Sequence, residues 1–359
     1  MRLCSILWQL MPVSLLRRAV VAAWFVFAQW LPAAPEFVLG PPPGDGPVVV
    51  KAAFHLSRIN AIDDEAESFE FAGTLVLTWQ DPRQAFDPAQ AGVREKIYQG
   101  DNQSYDVNPA WFPQFVLANE CGMSLSNTTA LRVRPDGTSV LTTMINASAK
   151  TNLSMRRYPF DTQHLQAVFE IPGFLRDEVA IMADHATASS DLSIDQWHLK
   201  GMEAAAPGPE PHPASAMSAP PTFVVTAVVG RDPFFILRLV GLPLALIVIL
   251  SWSVFWMDRS SLGDRLSVSF IGILTAVAYQ IVVGDLLPHV SYITLMHAFL
   301  NFSFILMCAS VVINLVVASC DKNGREELGD LIDRRCRLLF PLGYLGSILF
   351  AVVAVFTFF

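Results

Sequence analysis

DRLSVSFIGILTAVAYQIVVGD, residues 264–285, is long and apolar enough to cross a bilayer, yet it carries an acid at each end. Read at alternating steps of three and four, it gives Asp264, Ser267, Ile271, Leu274, Ala278, Ile281 and Asp285. That spacing keeps all seven on one stripe of an α-helix. The stripe is acidic at both ends, has a hydroxyl just inside the first acid, and is apolar through its middle. A helix that only faces lipid has no use for this pattern. One helix cannot enclose a hole, but several copies around an axis can, and such a stripe is what a cation pore needs. From the residues alone Asp264 has a second reading, as the cap of a helix N-terminus where its charge favours the dipole.

The flanking sequence is of the same membrane kind. The chain is 53% hydrophobic with a mean hydropathy of +0.43, values that point to a membrane protein with a soluble part. Spans are predicted at about 233–257, 262–283, 292–319 and 338–359, each of membrane-crossing length. Two connectors hold Arg259, Arg265, Lys322, Arg325, Arg334, Arg335 and Arg337, whereas Leu286 to Ser291 has no Lys or Arg. The positive-inside rule puts the first two in the cytoplasm. The N-terminal region and the C-terminus then lie outside a plasma (inner) membrane crossed several times.

The first residues agree. Arg2, Arg17 and Arg18 precede the apolar run Ala19 to Trp30 and the small residues Ala33 and Ala34, as in a secretory signal peptide over 1–34. A permanent anchor is the other reading of that run. Of Cys4, Cys121, Cys308, Cys320 and Cys336, only Cys121 falls in the exported part, so no disulfide can close there. No cysteine has metal-ligand spacing with a histidine, and neither metal nor cofactor is expected.

From about residue 48 to 229 the pattern is β. Alternating runs such as Phe69–Trp79, Ser139–Ile145 and His164–Ile171 are divided by turn signals at Asp81-Pro82, Pro135-Asp136-Gly137 and Ile171-Pro172-Gly173. Many short strands with regular turns predict an antiparallel sandwich over 35–230. Pro207 to Pro221 is rich in Pro, Ala and Ser and reads as an extended loop. Acidic residues outnumber basic ones between Glu36 and Glu210, which argues against a nucleic-acid partner.

Residues 151–165, TNLSMRRYPFDTQHL, carry a more specific signal. Their Tyr158-Pro159-Phe160-Asp161 core resembles the aromatic-Pro-Phe-Asp loop of pentameric ligand-gated ion channels, with Thr151 and Leu165 where Cys-loop receptors have their cysteines. Trp79-Gln80-Asp81, Trp111-Phe112-Pro113, Arg231, Pro243 and Gly263-Asp264-Arg265-Leu266-Ser267 are similar to other motifs of the family. The last resembles the mouth of its cation-selective members. The missing cysteines and the short cytoplasmic connector resemble its prokaryotic branch.

The resemblance implies an extracellular antiparallel β-sandwich (35–230), a four-helix transmembrane bundle (231–359) and a homopentamer in which the chain joins four identical subunits. The second span would line the pore with the seven stripe residues. Asp264 and Ser267 would select permeant monovalent cations, Leu274 and Ile281 would form the gate, and Asp285 would concentrate cations outside. Asp161 and Arg231 would form an ion pair between the domains. Pro159, Phe160 and Pro288 would help carry motion to the pore helix. The family's agonist box falls on Thr74, Ala118 and Pro172, none aromatic, with Glu170, Phe174 and Trp197 as nearby candidates.

Either a small molecule or protons could then be the agonist. His55, His164, His185, His198, His212 and His289 lie in or near the outer domain, and imidazole changes charge near neutral pH. A non-channel membrane sensor is the alternative, but short connectors leave it little room for a signalling domain. A transporter is disfavoured because internal repeats are missing and Pro243 is read as the only proline interrupting a span. An enzyme is disfavoured because no phosphate loop, nucleophile elbow or His-Glu metal motif occurs.

Overall fold

The structure, a computed structural model, describes residues 40–101, 111–122, 128–190, 192, 194–207, 219–258 and 261–358. The expected signal peptide, His212 and most of the Pro207–Pro221 loop lie outside them.

Ten strands build the outer domain: β1 (Val48–Asp63), β2 (Ser68–Gln80), β3 (Lys96–Asp101), β4 (Val116–Leu117), β5 (Thr128–Val133), β6 (Thr138–Lys150), β7 (Thr162–Glu170), β8 (Val179–Ala188), β9 (Trp197–Ala205) and β10 (Thr222–Arg231). They form a six-stranded sheet in the order β3-β5-β6-β2-β1-β8 and a four-stranded sheet in the order β4-β7-β10-β9. Strict alternation explains the sandwich. In β2, Phe69, Phe71, Leu75, Leu77 and Trp79 are buried while their neighbours are not. In β7, Leu165, Ala167 and Phe169 do the same from the facing sheet. Phe54, Phe169 and Phe223 meet between the sheets, with ring centroids 5.6 and 6.3 Å apart.

The sheets are not wholly antiparallel. β8 lies parallel to β1, pairing Val48 with Val179 and Leu56 with Ala188. The chain leaves the four-stranded sheet at β7, turns at Pro172-Gly173, and enters the other sheet at its edge, so the connection is a crossover and not a hairpin. One turn requires glycine. Gly137 has φ +84°, and a Cβ there would stand 2.5 Å from the Asp81 carbonyl oxygen.

Four helices follow: α1 (Phe234–Trp256), α2 (Leu262–Gly284), α3 (Leu295–Lys322) and α4 (Glu326–Phe358). The first three are long and apolar enough to cross a membrane, judged by length and composition. α4 carries its charges in its first turns and is apolar from Leu338 on. In α1 a π turn at Leu237–Gly241 precedes Pro243, and wider spacing suits a residue that cannot donate its backbone N–H.

Two predicted boundaries move. α3 begins at Leu295, where Thr294 accepts the His297 N–H at 3.2 Å as a cap. α4 begins at Glu326, because Gly324 (φ +72°) closes α3 in the left-handed conformation and restarts the helix at once. The stretch 326–337 is therefore helix and not connector. Pro341 lies inside α4, so Pro243 is not the only proline within a span.

Candidate functional site

Every residue of the stripe on α2 is exposed in the single chain: Asp264, Ser267, Ile271, Leu274, Ala278, Ile281 and Asp285. Leu274 and Ile281 have 70% and 73% of their surface free, although both are apolar. The opposite face holds the buried Arg265, Ser269, Ala276 and Val283 and packs on the other helices. Asn314 of α3 donates to Ser269 Oγ at 3.2 Å within that packing. The Ser267 hydroxyl donates to the Gly263 carbonyl at 2.8 Å, leaving its oxygen free to accept. Asp264 is in the first turn of α2, where its charge suits the helix dipole, but the cap position belongs to Ser261.

The second constellation lies where the sandwich meets the helices. β10 delivers Arg231, only 7% exposed, to the base of the outer domain. Its Nε donates to Asp161 at 3.0 Å, and Nη2 donates to both carboxylate oxygens of Asp64, at 2.7 and 2.9 Å. Its guanidinium lies 4.0 Å from the centroid of the Trp197 ring and 4.8 Å from that of Tyr158. Gln163 donates to the second Asp161 oxygen at 2.5 Å. Burial pushes Asp64 above the ordinary carboxylate value, with Arg231 pulling the other way. Burial also pushes the Tyr158 phenol up to about 12, so it stays neutral. The knot therefore holds one guanidinium against two carboxylates. Removing one member of such a buried group costs about 3–5 kcal/mol, because the rest keep their desolvation without compensation.

The Asp161–Arg231 pair is thus present. Sequence reasoning missed Asp64, which stands in a run of acids with nothing local to distinguish it. It also set Trp197 among the agonist candidates, whereas the ring is buried under Arg231 at the junction.

The Pro-Phe-Asp loop also grips the membrane part directly. Tyr292 Oη accepts the Met155 N–H at 2.8 Å, and the Leu295 N–H donates to the Arg156 carbonyl at 3.1 Å. Pro159 and Pro288 are buried and Phe160 half-buried. Beside them His289, in the α2–α3 connector, stands 3.5 Å from Glu65 in the β1–β2 turn. His198 Nδ1 lies 3.0 Å from Asp232, just before α1.

Similarity to known proteins agrees with this arrangement. Residues 39–206 match the neurotransmitter-gated ion-channel ligand binding domain, and residues 241–330 match the neurotransmitter-gated ion-channel transmembrane region. Together they span more than half of the chain. The chain belongs to the pentameric ligand-gated ion channel family.

Members of this family are channels and not enzymes. The chain is 25% identical over 339 residues to the proton-gated ion channel of Gloeobacter violaceus, covering 94% of this chain and 90% of that one. It is 26% identical to the human gamma-aminobutyric acid receptor subunit rho-3, over 77% of this chain and 59% of the receptor subunit. A pH-sensitive chloride channel 2 of Anopheles gambiae is 25% identical over 69% of this chain and 42% of its own length. The family gives the architecture: an outer ligand-binding sandwich, then helices of a multi-pass membrane protein, arranged as a pentamer.

Within that frame the agonist candidates divide between the sheets. Ala118, Glu170 and Phe174 gather at one end of the four-stranded sheet, where β4 pairs Val116 with Glu170. Glu170 is half-buried. Phe174 packs edge-on against Trp111 at 5.9 Å, so its ring serves the core more than an open box. Thr74 belongs to the other sheet, pairing with Met144 and His55 on the face away from buried Leu75. Within one chain the structure does not bring Thr74 together with the other three.

Proposed function

We propose that five copies of this chain form a homopentameric, cation-selective channel that acid opens from the outer side. In this reading residues 1–34 are a signal peptide, 35–230 receive the stimulus and 231–359 form the channel. The carrying observation is that all seven stripe residues of α2 are exposed while the opposite face, with Arg265, Ser269, Ala276 and Val283, is buried. Apolar residues as bare as Leu274 and Ile281 face either lipid or a pore, and the acids in register with them favour the pore. Five Asp264 side chains at the inner mouth would attract cations and repel anions. Ser267 would offer a hydroxyl to a partly dehydrated ion. Leu274 and Ile281 would close the path by dewetting, and Asp285 would gather cations outside.

Protons are favoured over an organic agonist for two reasons. The agonist-box positions Thr74, Ala118 and Pro172 hold no aromatic ring, and of the nearby candidates Trp197 lies under Arg231 and Phe174 packs against Trp111. The domain boundary, by contrast, carries the His289–Glu65 and His198–Asp232 pairs, which become ion pairs when protonated. The named activity of the Gloeobacter relative points the same way.

The test is recording from oocytes expressing the full chain, with extracellular NaCl diluted during an acid pulse. Cation selectivity moves the reversal potential negative, along the Na⁺ gradient. A movement along the chloride gradient sinks the role given to Asp264.

A further inference from the structure

The largest fully buried side chain among the described residues is an arginine, and it is the next residue after Asp264. Arg265 is 1% exposed and turns away from the stripe into the helix bundle. Its Nε donates to the Val254 carbonyl at 2.9 Å, and its Nη2 donates to Asp333 of α4 at 2.9 Å. The Asp333 side chain is itself only 4% exposed. Arg337, one turn further along α4, donates its Nε to the Phe255 carbonyl at 2.9 Å. The two arginines thus donate to carbonyls in the last turn of α1, at the end where the helix dipole favours cations.

This placement bears on ion selection, and the inference rests on the cation-channel reading above. In a pentamer each copy brings one Asp264 and one Arg265 to the same membrane level. If both side chains reached the mouth, the five positive and five negative charges would cancel. Arg265 has a long flexible stem and would extend to water if nothing held it. Asp333 holds it and cancels its charge, from a helix that contributes nothing to the stripe.

We propose that Asp333 is a specificity-determining positioning residue. By pairing with Arg265 inside the bundle, it leaves Asp264, and not its neighbour, to set the sign of the stripe at the inner mouth.

The experiment measures the cation-to-chloride permeability ratio, from reversal potentials, in full-length wild type, Asp333→Asn and the double variant Arg265→Gln/Asp333→Asn. Asp333→Asn frees the guanidinium, and the ratio should fall by about tenfold, the factor that corresponds to ~1.4 kcal/mol. The double variant removes both charges, and the ratio should return to that of wild type. An unchanged ratio in Asp333→Asn overturns the proposal. So does an equal loss in single and double variants, since the pair would then only hold the helices together. If Asp333→Asn gives no current, Arg265→Lys replaces it. A lysine cannot reach both Val254 and Asp333 with a planar fork, so the ratio should fall partway, and no change overturns the proposal. Chloride selectivity in wild type would instead sink the channel reading itself, before the pair is tested.

Discussion

Arg231 shows how a single residue can be both anchor and liability. Its charge is shared between Asp161 and Asp64, and its flat guanidinium lies against the rings of Trp197 and Tyr158. Burial outweighs the pull of Arg231 on Asp64 and raises its value above 3.8. The sign of the consequence is fixed. A carboxyl raised in the folded state favours folding while it holds its proton, and that contribution is lost as pH rises through the folded value. Asp64→Asn removes this titration. The melting temperature of wild type minus that of Asp64→Asn should therefore shrink as pH rises from about 4 to about 7. Thermal unfolding in detergent measures it, and a difference that grows with pH would mean attraction to Arg231 dominates after all. Of this knot, Asp161 and Arg231 were legible because each sits in a recognisable motif. Asp64 and Trp197 were not, because their role comes from strands brought together by the sandwich and not from local sequence.

At the scale of the element, α2 was the most legible part of the molecule. Its stripe follows from a period that any helix imposes, so the seven positions were readable before any packing was known. Its other face was not. Arg265 reads in sequence as one more cytoplasmic charge, and its partner Asp333 lies 68 residues away in a stretch that reads as connector. That stretch turns out to be the start of α4, hidden because its charges mask a helix whose packing begins there. The exposed apolar positions carry a prediction of their own. If Leu274 closes the path by dewetting, a hydroxyl there should wet it, since withdrawing a leucine from water contributes roughly 1.5–3 kcal/mol. Leu274→Thr should leave standing current at neutral pH and shift activation by about tenfold or more toward weaker stimulus, with the reversal potential unchanged. Oocyte recordings that find the variant silent at rest, with ordinary sensitivity, would move the gate elsewhere on the stripe.

At the scale of the whole molecule, the stimulus must cross from sandwich to helices through few contacts. The sandwich itself was readable from alternation, whereas the parallel β1–β8 pair was not, because only the crossover between sheets determines it. The contacts at the junction were likewise hidden, since Met155–Tyr292, Arg156–Leu295 and Glu65–His289 each join residues far apart in sequence. The last of these is the one that pH can switch. His289 and Glu65 are both largely exposed, so each pair when charged is worth only about 0.2–1 kcal/mol. Five copies acting on one pore would still sum to roughly 1–5 kcal/mol, enough to move a two-state equilibrium by about fivefold or more. Other titratable groups stand nearby. Asp63 and Asp64, the latter paired with Arg231, flank Glu65 at the β1–β2 turn, and His297 borders the same cavity as His289. Protonation of His289 creates the pair and ties the α2–α3 connector to the outer domain. If that tie accompanies opening, the open state binds the proton more tightly, and acid must favour it. His289→Gln keeps a hydrogen-bonding side chain but cannot become charged. Its activation curve should shift to lower pH and become shallower, with single-channel conductance unchanged. Glu65→Gln should do the same, and the double variant should add little to either single one, because both remove the same interaction. Fully additive shifts, or a curve that His289→Gln leaves in place, would show that protons act at another group, with His198 beside Asp232 the next to test.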